Sequence, residues 1–282
     1  MTGIPANHSP TQGRPDHTQR PTMSMVIEWL KAHPNAIRVT AVIAFFVFWE
    51  LTARDMNSLF MSYPTAIFRA AWTITESGEL PQAFVTSMEP FLLGLAISII
   101  GGVAIGVLIA QFWFLEYTLD PFINALYAVP RIALLPLIML WAGLDVTGKV
   151  AIVVSIAIFP VIINTYSGIK DVRGSLIEIG RAYCATEWQT FAKIILPAAV
   201  PYIMAGIRLA VGLAIIGMIV AEFFTSVTGL GGLIVLYANS FATAKLFVMI
   251  IVVGVLGAVL SELVIYIERR FSRWRISERE RY

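Results

Sequence analysis

Long apolar runs separated by short polar stretches set the rhythm of this chain. Judged against the roughly 20 apolar residues that cross a bilayer as a helix, six runs stand out, near 38–54, 84–110, 119–143, 148–168, 198–222 and 245–267. The first is short, and the third is interrupted by Pro121, Pro130, Arg131 and Pro136, which break helical hydrogen bonding or place a charge at membrane depth. The pattern predicts an all-α, polytopic membrane protein with six transmembrane helices. Residues 1–24 break the rhythm, because Pro5, Pro10, Pro15 and Pro21 stand among Gly, Ser, Thr, Gln and His with almost nothing to bury. That composition predicts a disordered tail ahead of a transmembrane domain at 25–282. The 38 mostly polar residues before the first run, with no small-residue cleavage site behind it, argue against a cleavable signal peptide.

Within the second run, Gly94, Ser98, Gly102, Gly106 and Ala110 repeat every fourth residue. Lipid supplies no hydrophobic drive between helices, so a stripe of small side chains predicts close backbone approach and packing inside the bundle. The main polar interruption runs from Ser175 to Pro197. Ser175 with Glu178, and Thr186 with Gln189, each have the hydroxyl-x-x-Glu/Gln form of a capping box. They predict two short helices, 176–183 and 187–196, joined at Cys184 and Ala185, with the second ending at Pro197. Helices this short are marginal alone in water, so each needs something to pack against.

Charge placement orients the chain. With six spans and both termini inside, the inner segments hold four Lys or Arg up to Arg38, four from Lys170 to Lys193 and six from Arg269 to Arg281. The outer loops hold only Arg54, Arg69, Lys149 and Lys245. The positive-inside bias therefore places both termini and the 169–197 loop in the cytosol. With 58% hydrophobic and 13% charged residues, the chain has too little polar surface for an ordinary soluble domain.

Candidate chemistry changes this picture little. A single cysteine excludes an intramolecular disulfide, and His8, His17 and His33 all precede the first run, so neither a metal site nor a catalytic base is expected. The stretch Gly143-Leu-Asp-Val-Thr-Gly148-Lys149 falls short of a P-loop, since Val150 replaces the hydroxyl residue and no strand precedes it. It reads as a turn between spans. Glu50, Arg131, Arg208, Glu222 and Glu262 lie inside runs and must face protein or water. Arg131 and Arg208 lie twelve and ten residues beyond Leu119 and Ala198, about 15 to 18 Å deep at 1.5 Å per residue. Cations at that depth suit a path for anions, with Glu222 or Glu262 as the alternative ion-pair partners.

The polar interruption carries a resemblance. Glu178, six residues to Cys184, then nine to Ile194-x-Leu196-Pro197, resembles the E-A-A…G…I-x-L-P loop of the inner-membrane permease subunits of binding-protein-dependent ABC importers. Ile179 and Gly180 replace its two alanines, and Cys184 replaces its glycine, a position that implies left-handed backbone. The run Ala128-Val-Pro-Arg-Ile-Ala-Leu-Leu-Pro-Leu to Trp141-Ala142-Gly143 is similar to the nitrate, sulfonate and taurine branch. Gly229-Leu230-Gly231-Gly232, after Ala221-Glu222, is similar to the closing segment of the same family, and predicts a turn and short helix on the outer face.

The resemblance implies a type I ABC importer permease fold that itself catalyses nothing and carries no cofactor. Its implied partners are two ATPase subunits, an extracytoplasmic substrate-binding protein, a second copy of the chain and the lipid bilayer of a bacterial plasma (inner) membrane, with no nucleic acid. Glu178, Gly180, Tyr183, Cys184, Ala185, Trp188 and Pro197 would form the ATPase-coupling loop, and Arg131, Arg208 and Glu222 the translocation path. Substrates in that branch are usually small anions such as nitrate, sulfonate, taurine or bicarbonate, and pyrimidine precursors also occur. An ion-gradient-driven secondary transporter is the alternative, and it predicts an inverted repeat with matching broken helices.

Overall fold

The computed structural model describes residues 34–225 and 228–271; the expected disordered tail and the basic segment beyond Phe271 lie outside them. The described residues are helical throughout, without strands. The chain divides into two compact units, 1–52 and 53–282. Helix α1, Pro34–Arg54, falls almost wholly in the first and covers the first expected span. The second contains α2 (Pro64–Glu76), α3 (Glu79–Gln111), α4 (Trp113–Ala128), α5 (Leu135–Ala142), α6 (Val146–Lys170), α7 (Gly174–Ala182), α8 (Glu187–Thr225), α9 (Gly229–Asn239) and α10 (Thr243–Phe271).

Four of these, α3, α6, α8 and α10, are long and apolar enough to cross a bilayer. They correspond to the second, fourth, fifth and sixth expected spans. The expected third span, 119–143, is not one helix: α4 and the segment Arg131–Ala142 meet at 90°. Pro130 is the cause, because its ring drives the preceding residue out of helical geometry. Val129 is accordingly extended, with φ −67° and ψ 131°, and a short 3₁₀ turn at Arg131–Leu134 follows before α5 begins. Six uninterrupted spans are therefore not what the described residues contain. By length and composition, the described residues hold four such helices, or five when the two arms of this bent pair are counted as one span.

Helix α6 is the centre of the bundle, flanked by α3 and α8. The small-residue stripe of α3 lies against it. A Cβ on Gly94 would stand 2.6 Å from Val153 Cγ1, and one on Gly102 or Gly106 would stand 2.7 Å from the Cβ of Val161 or Thr165. Those distances are inside van der Waals contact, so the two backbones approach only because these positions carry no side chain. Around α6, Phe91 of α3, Val153, Ala157 and Val161 of α6, and Ala214 and Met218 of α8 are fully buried in one cluster. Helix α8 continues through Pro197 and Pro201 to Thr225, so the short helix expected to stop at Pro197 instead becomes the start of a span. A π turn at Phe191–Ile195 immediately precedes the proline. The wider turn absorbs the missing N–H without a break.

Candidate functional site

At one end of the bundle α7 folds back on the first turns of α8 to form an elbow. Helix α7 ends in a Schellman closure, with the Ala185 N–H donating to Gly180 O at 3.0 Å and the Cys184 N–H to Arg181 O at 2.9 Å. Cys184 has φ 53°, the left-handed backbone implied at this position. A side chain there costs about 1 kcal/mol. Thr186 then caps α8 with a complete capping box: the Gln189 N–H donates to Thr186 Oγ1 at 3.3 Å, and the Thr186 N–H donates to Gln189 Oε1 at 2.9 Å.

The box expected at Ser175 and Glu178 does not form. Helix α7 starts at Gly174 with Arg173 as its N-cap and no side-chain cap bond. Ser175 is therefore already inside the first turn, where it no longer occupies the half-in position that capping requires. Gly180 is buried under α8, where a Cβ would stand 2.9 Å from Ile194 Cδ1 and 3.3 Å from Thr190 Oγ1. The hairpin leaves a groove of about 320 Å³ lined by Ile179, Gly180, Tyr183, Ala185, Gln189, Lys193 and Ile194. On this elbow Ile179 is 52% exposed, Tyr183 85% and Trp188 73%. Glu178 is exposed as well, and Pro197 lies back within α8. The expected loop residues are thus gathered at one elbow, Pro197 excepted, with a crest of apolar rings that the described residues do not cover.

The same end carries an ionic tie that went unremarked in the sequence. Tyr166 donates to Glu116 Oε1 at 2.7 Å and Lys170 Nζ to Glu116 Oε2 at 2.5 Å, which fastens α4 to the end of α6.

The ionisable residues expected along the path each have separate partners. The Arg131 guanidinium lies over the rings of Tyr127 and Phe159, 4.8 and 5.0 Å from their centroids, and donates to Tyr127 O at 3.0 Å. Arg208 pairs with Glu268, not with Glu222 or Glu262. Glu268 was missed because the last run was read as ending at 267, whereas α10 continues to Phe271.

Glu222 is only 1% exposed and lies at the end of the bundle opposite the elbow. Ser87 of α3 donates to its Oε1 at 2.7 Å, and the Gly231 N–H of α9 donates to Oε2 at 2.7 Å. The Leu230 N–H donates to Ser87 Oγ at 2.8 Å. Lys149, 5% exposed, approaches from α6, with Nζ 3.5 Å from Thr228 Oγ1. Among the described residues there is no group of three His, Cys, Asp or Glu arranged to hold a metal ion.

Residues 102–273 match the family described as the binding-protein-dependent transport system inner membrane component. The chain is 37% identical over 200 residues to the putative aliphatic sulfonates transport permease of Bacillus subtilis (strain 168), covering 71% of each. It is 29% identical over 245 residues to the nitrate import permease of Leptolyngbya laminosa, covering 82% of this chain and 87% of that one. Among solved structures, the methionine ABC transporter MetNI in inward-facing conformations superposes with a TM-score of 0.55 at 17% identity, over 75% of this chain and 99% of that chain. That likeness bears on the fold.

Proposed function

The chain belongs to the family of binding-protein-dependent transport system inner membrane components, and from that premise we propose that it works as the permease subunit of an ATP-driven importer of small anions. It is a membrane-embedded ABC permease rather than a catalytic enzyme. On this reading the elbow end faces the bacterial cytoplasm with both termini, and two ATPase subunits, separate from this chain, dock on the elbows of two copies. A substrate-binding protein delivers solute to the opposite face. The observation that carries the reading is the elbow itself. Its left-handed hinge and capping box hold Tyr183 and Trp188 exposed beside a groove, and large uncovered rings on an ordered scaffold mark a protein interface.

The sulfonate and nitrate relatives support a small anion as cargo. Arg131 is the residue of this chain best suited to meet one, because its guanidinium is held by rings and a carbonyl rather than by a carboxylate. Arg208, paired with Glu268, is the weaker choice, and Glu222 serves the path only from its far end.

The test is reconstitution of the chain with its ATPase and binding protein in proteoliposomes, with uptake of labelled taurine, nitrate, an alkanesulfonate, bicarbonate and a pyrimidine. ATP-dependent accumulation of an anion, lost in Arg131→Gln while the complex still assembles, is expected. Uptake driven by an ion gradient without ATP would replace this reading with a secondary transporter. Normal uptake in Arg131→Gln would remove that residue from the path.

A further inference from the structure

Helix α8 carries the elbow at its first turn and Glu222 in its last. We propose that Glu222 is a positioning residue that fastens α9 to α8, so that a displacement applied at the elbow reaches the opposite mouth of the permease as a movement of α9. The proposal rests on the elbow being the site where force is applied.

Three observations support it. First, α9 does not cap itself. Thr228, its N-cap, makes no side-chain cap bond, and the first free N–H groups, at Leu230 and Gly231, are taken instead by Ser87 and Glu222 from two other helices. A helix N-terminus leaves four N–H groups without internal partners and favours negative charge beside it, so the Glu222 carboxylate is a cap supplied from a neighbouring helix. Second, the joint has no slack. A Cβ at Gly231 would stand 2.8 Å from both Glu222 Cβ and Ile219 O, and one at Gly229 would meet the Glu222 carboxylate and stand 2.7 Å from Ser87 Oγ. Third, the joint is buried, with Ser87 fully enclosed, Glu222 1% exposed, and Lys149 of α6, 5% exposed, 3.5 Å from Thr228 Oγ1 beside it. A buried carboxylate hydrogen-bonded on both oxygens resists opening, because separation leaves it unpaired.

At its other end α9 packs through Tyr237, which is 4% exposed. There Lys245 lies over the Tyr237 ring at 5.2 Å and 3.9 Å from Glu79, in a partly exposed pair that contributes little. Helices α3, α6 and α8 are packed as one block, and the Glu222 joint ties the N-terminus of α9 to it.

The test measures α9 against α8 directly. In a Cys184→Ser background, spin labels at Leu236 of α9 and Ile216 of α8, both exposed, report one distance in nanodiscs. The expected result is a single narrow distribution, the same without nucleotide and with ATP and vanadate bound to the ATPase partner. Glu222→Ala should broaden it at least twofold, and Glu222→Gln, which keeps an acceptor and the shape, should restore it. In proteoliposomes Glu222→Ala should lower uptake at least tenfold and reduce the stimulation of ATP hydrolysis by the binding protein, with Glu222→Gln within about threefold of wild type.

A wild-type distance that changes between nucleotide states would overturn the proposal, as would an unbroadened distribution in Glu222→Ala or coupled uptake at the wild-type level in that variant. If Glu222→Ala does not assemble, Ser87→Ala, which removes only the hydroxyl from the same joint, decides by the same two readouts. The distance in the chain alone needs no transport. A narrow distribution in a chain that never responds to an ATPase would therefore sink the importer reading and leave the joint standing.

Discussion

Cys184 occupies backbone that glycine adopts without a steric penalty, at φ 53°. Relieving that strain should stabilise the chain by about 1 kcal/mol, and Cys184→Gly is expected to raise the melting temperature in detergent by about 2–4 °C. A lower melting temperature would mean that the thiol's packing outweighs the strain. Gly180 makes the opposite case. A Cβ there would stand 2.9 Å from Ile194 Cδ1, so Gly180→Val should splay the hairpin at a cost of about 1–3 kcal/mol. That loss would be read as weaker ATPase retention together with faster proteolysis at the elbow. Arg208 and Glu268 form a pair, and within a membrane span removing one partner leaves the other charge without its counter-ion at a depth where that is costly. Arg208→Gln is expected to reduce assembly, and Arg208→Gln with Glu268→Gln to restore it. Uptake in the restored double variant then decides whether Arg208 also serves the path.

Element boundaries depended on how local their causes are. The apolar runs that became α3, α6, α8 and α10 were legible because a spanning helix satisfies its own backbone and shows the bilayer an unbroken apolar surface. The 90° break was present in the sequence as Pro130, yet hydropathy averages across a proline and joined its two arms. Thr186 and Gln189 were legible as a cap because both halves lie within one turn. Ser175 and Glu178 had the same spacing, but the helix begins two residues earlier, with Arg173 at the cap, so the pair sits inside it. The Glu222 joint was not legible, since Ser87 is 135 residues away and nothing in either local pattern calls for the other. The stripe on α3 predicts a further result. Gly102→Leu places a branched side chain against Val161, and it should abolish the folded, monodisperse protein in detergent, whereas Gly101→Leu, whose Cβ meets only Ile158 Cδ1 at 3.6 Å, should be recovered at close to wild-type yield.

At the scale of the whole molecule, one end presents exposed rings on a hinge and the other a buried, hydrogen-bonded joint. The two ends should therefore respond differently to substitution. Tyr183 is 85% exposed, and replacing a surface residue of this kind changes stability by no more than about 0.5 kcal/mol. An aromatic anchor at an interface contributes about 2 kcal/mol or more. Tyr183→Asp should thus leave the melting temperature within about 2 °C of wild type while weakening ATPase binding some 30-fold in a pull-down titration. Equal retention of the ATPase would exclude the elbow as its seat. Helix α8 adds a geometric consequence. Its 39 residues at 1.5 Å each extend about 58 Å, while hydrocarbon plus headgroups occupy about 40–45 Å. The apolar run of α8, 198–222, is about 37 Å long at that rise, so the rest of the helix is surplus to the hydrocarbon core of about 30 Å even with some tilt. On the proposed reading, the first turns of α8 take up that surplus as a stalk, which lifts the elbow past the headgroups into water, within reach of a soluble ATPase.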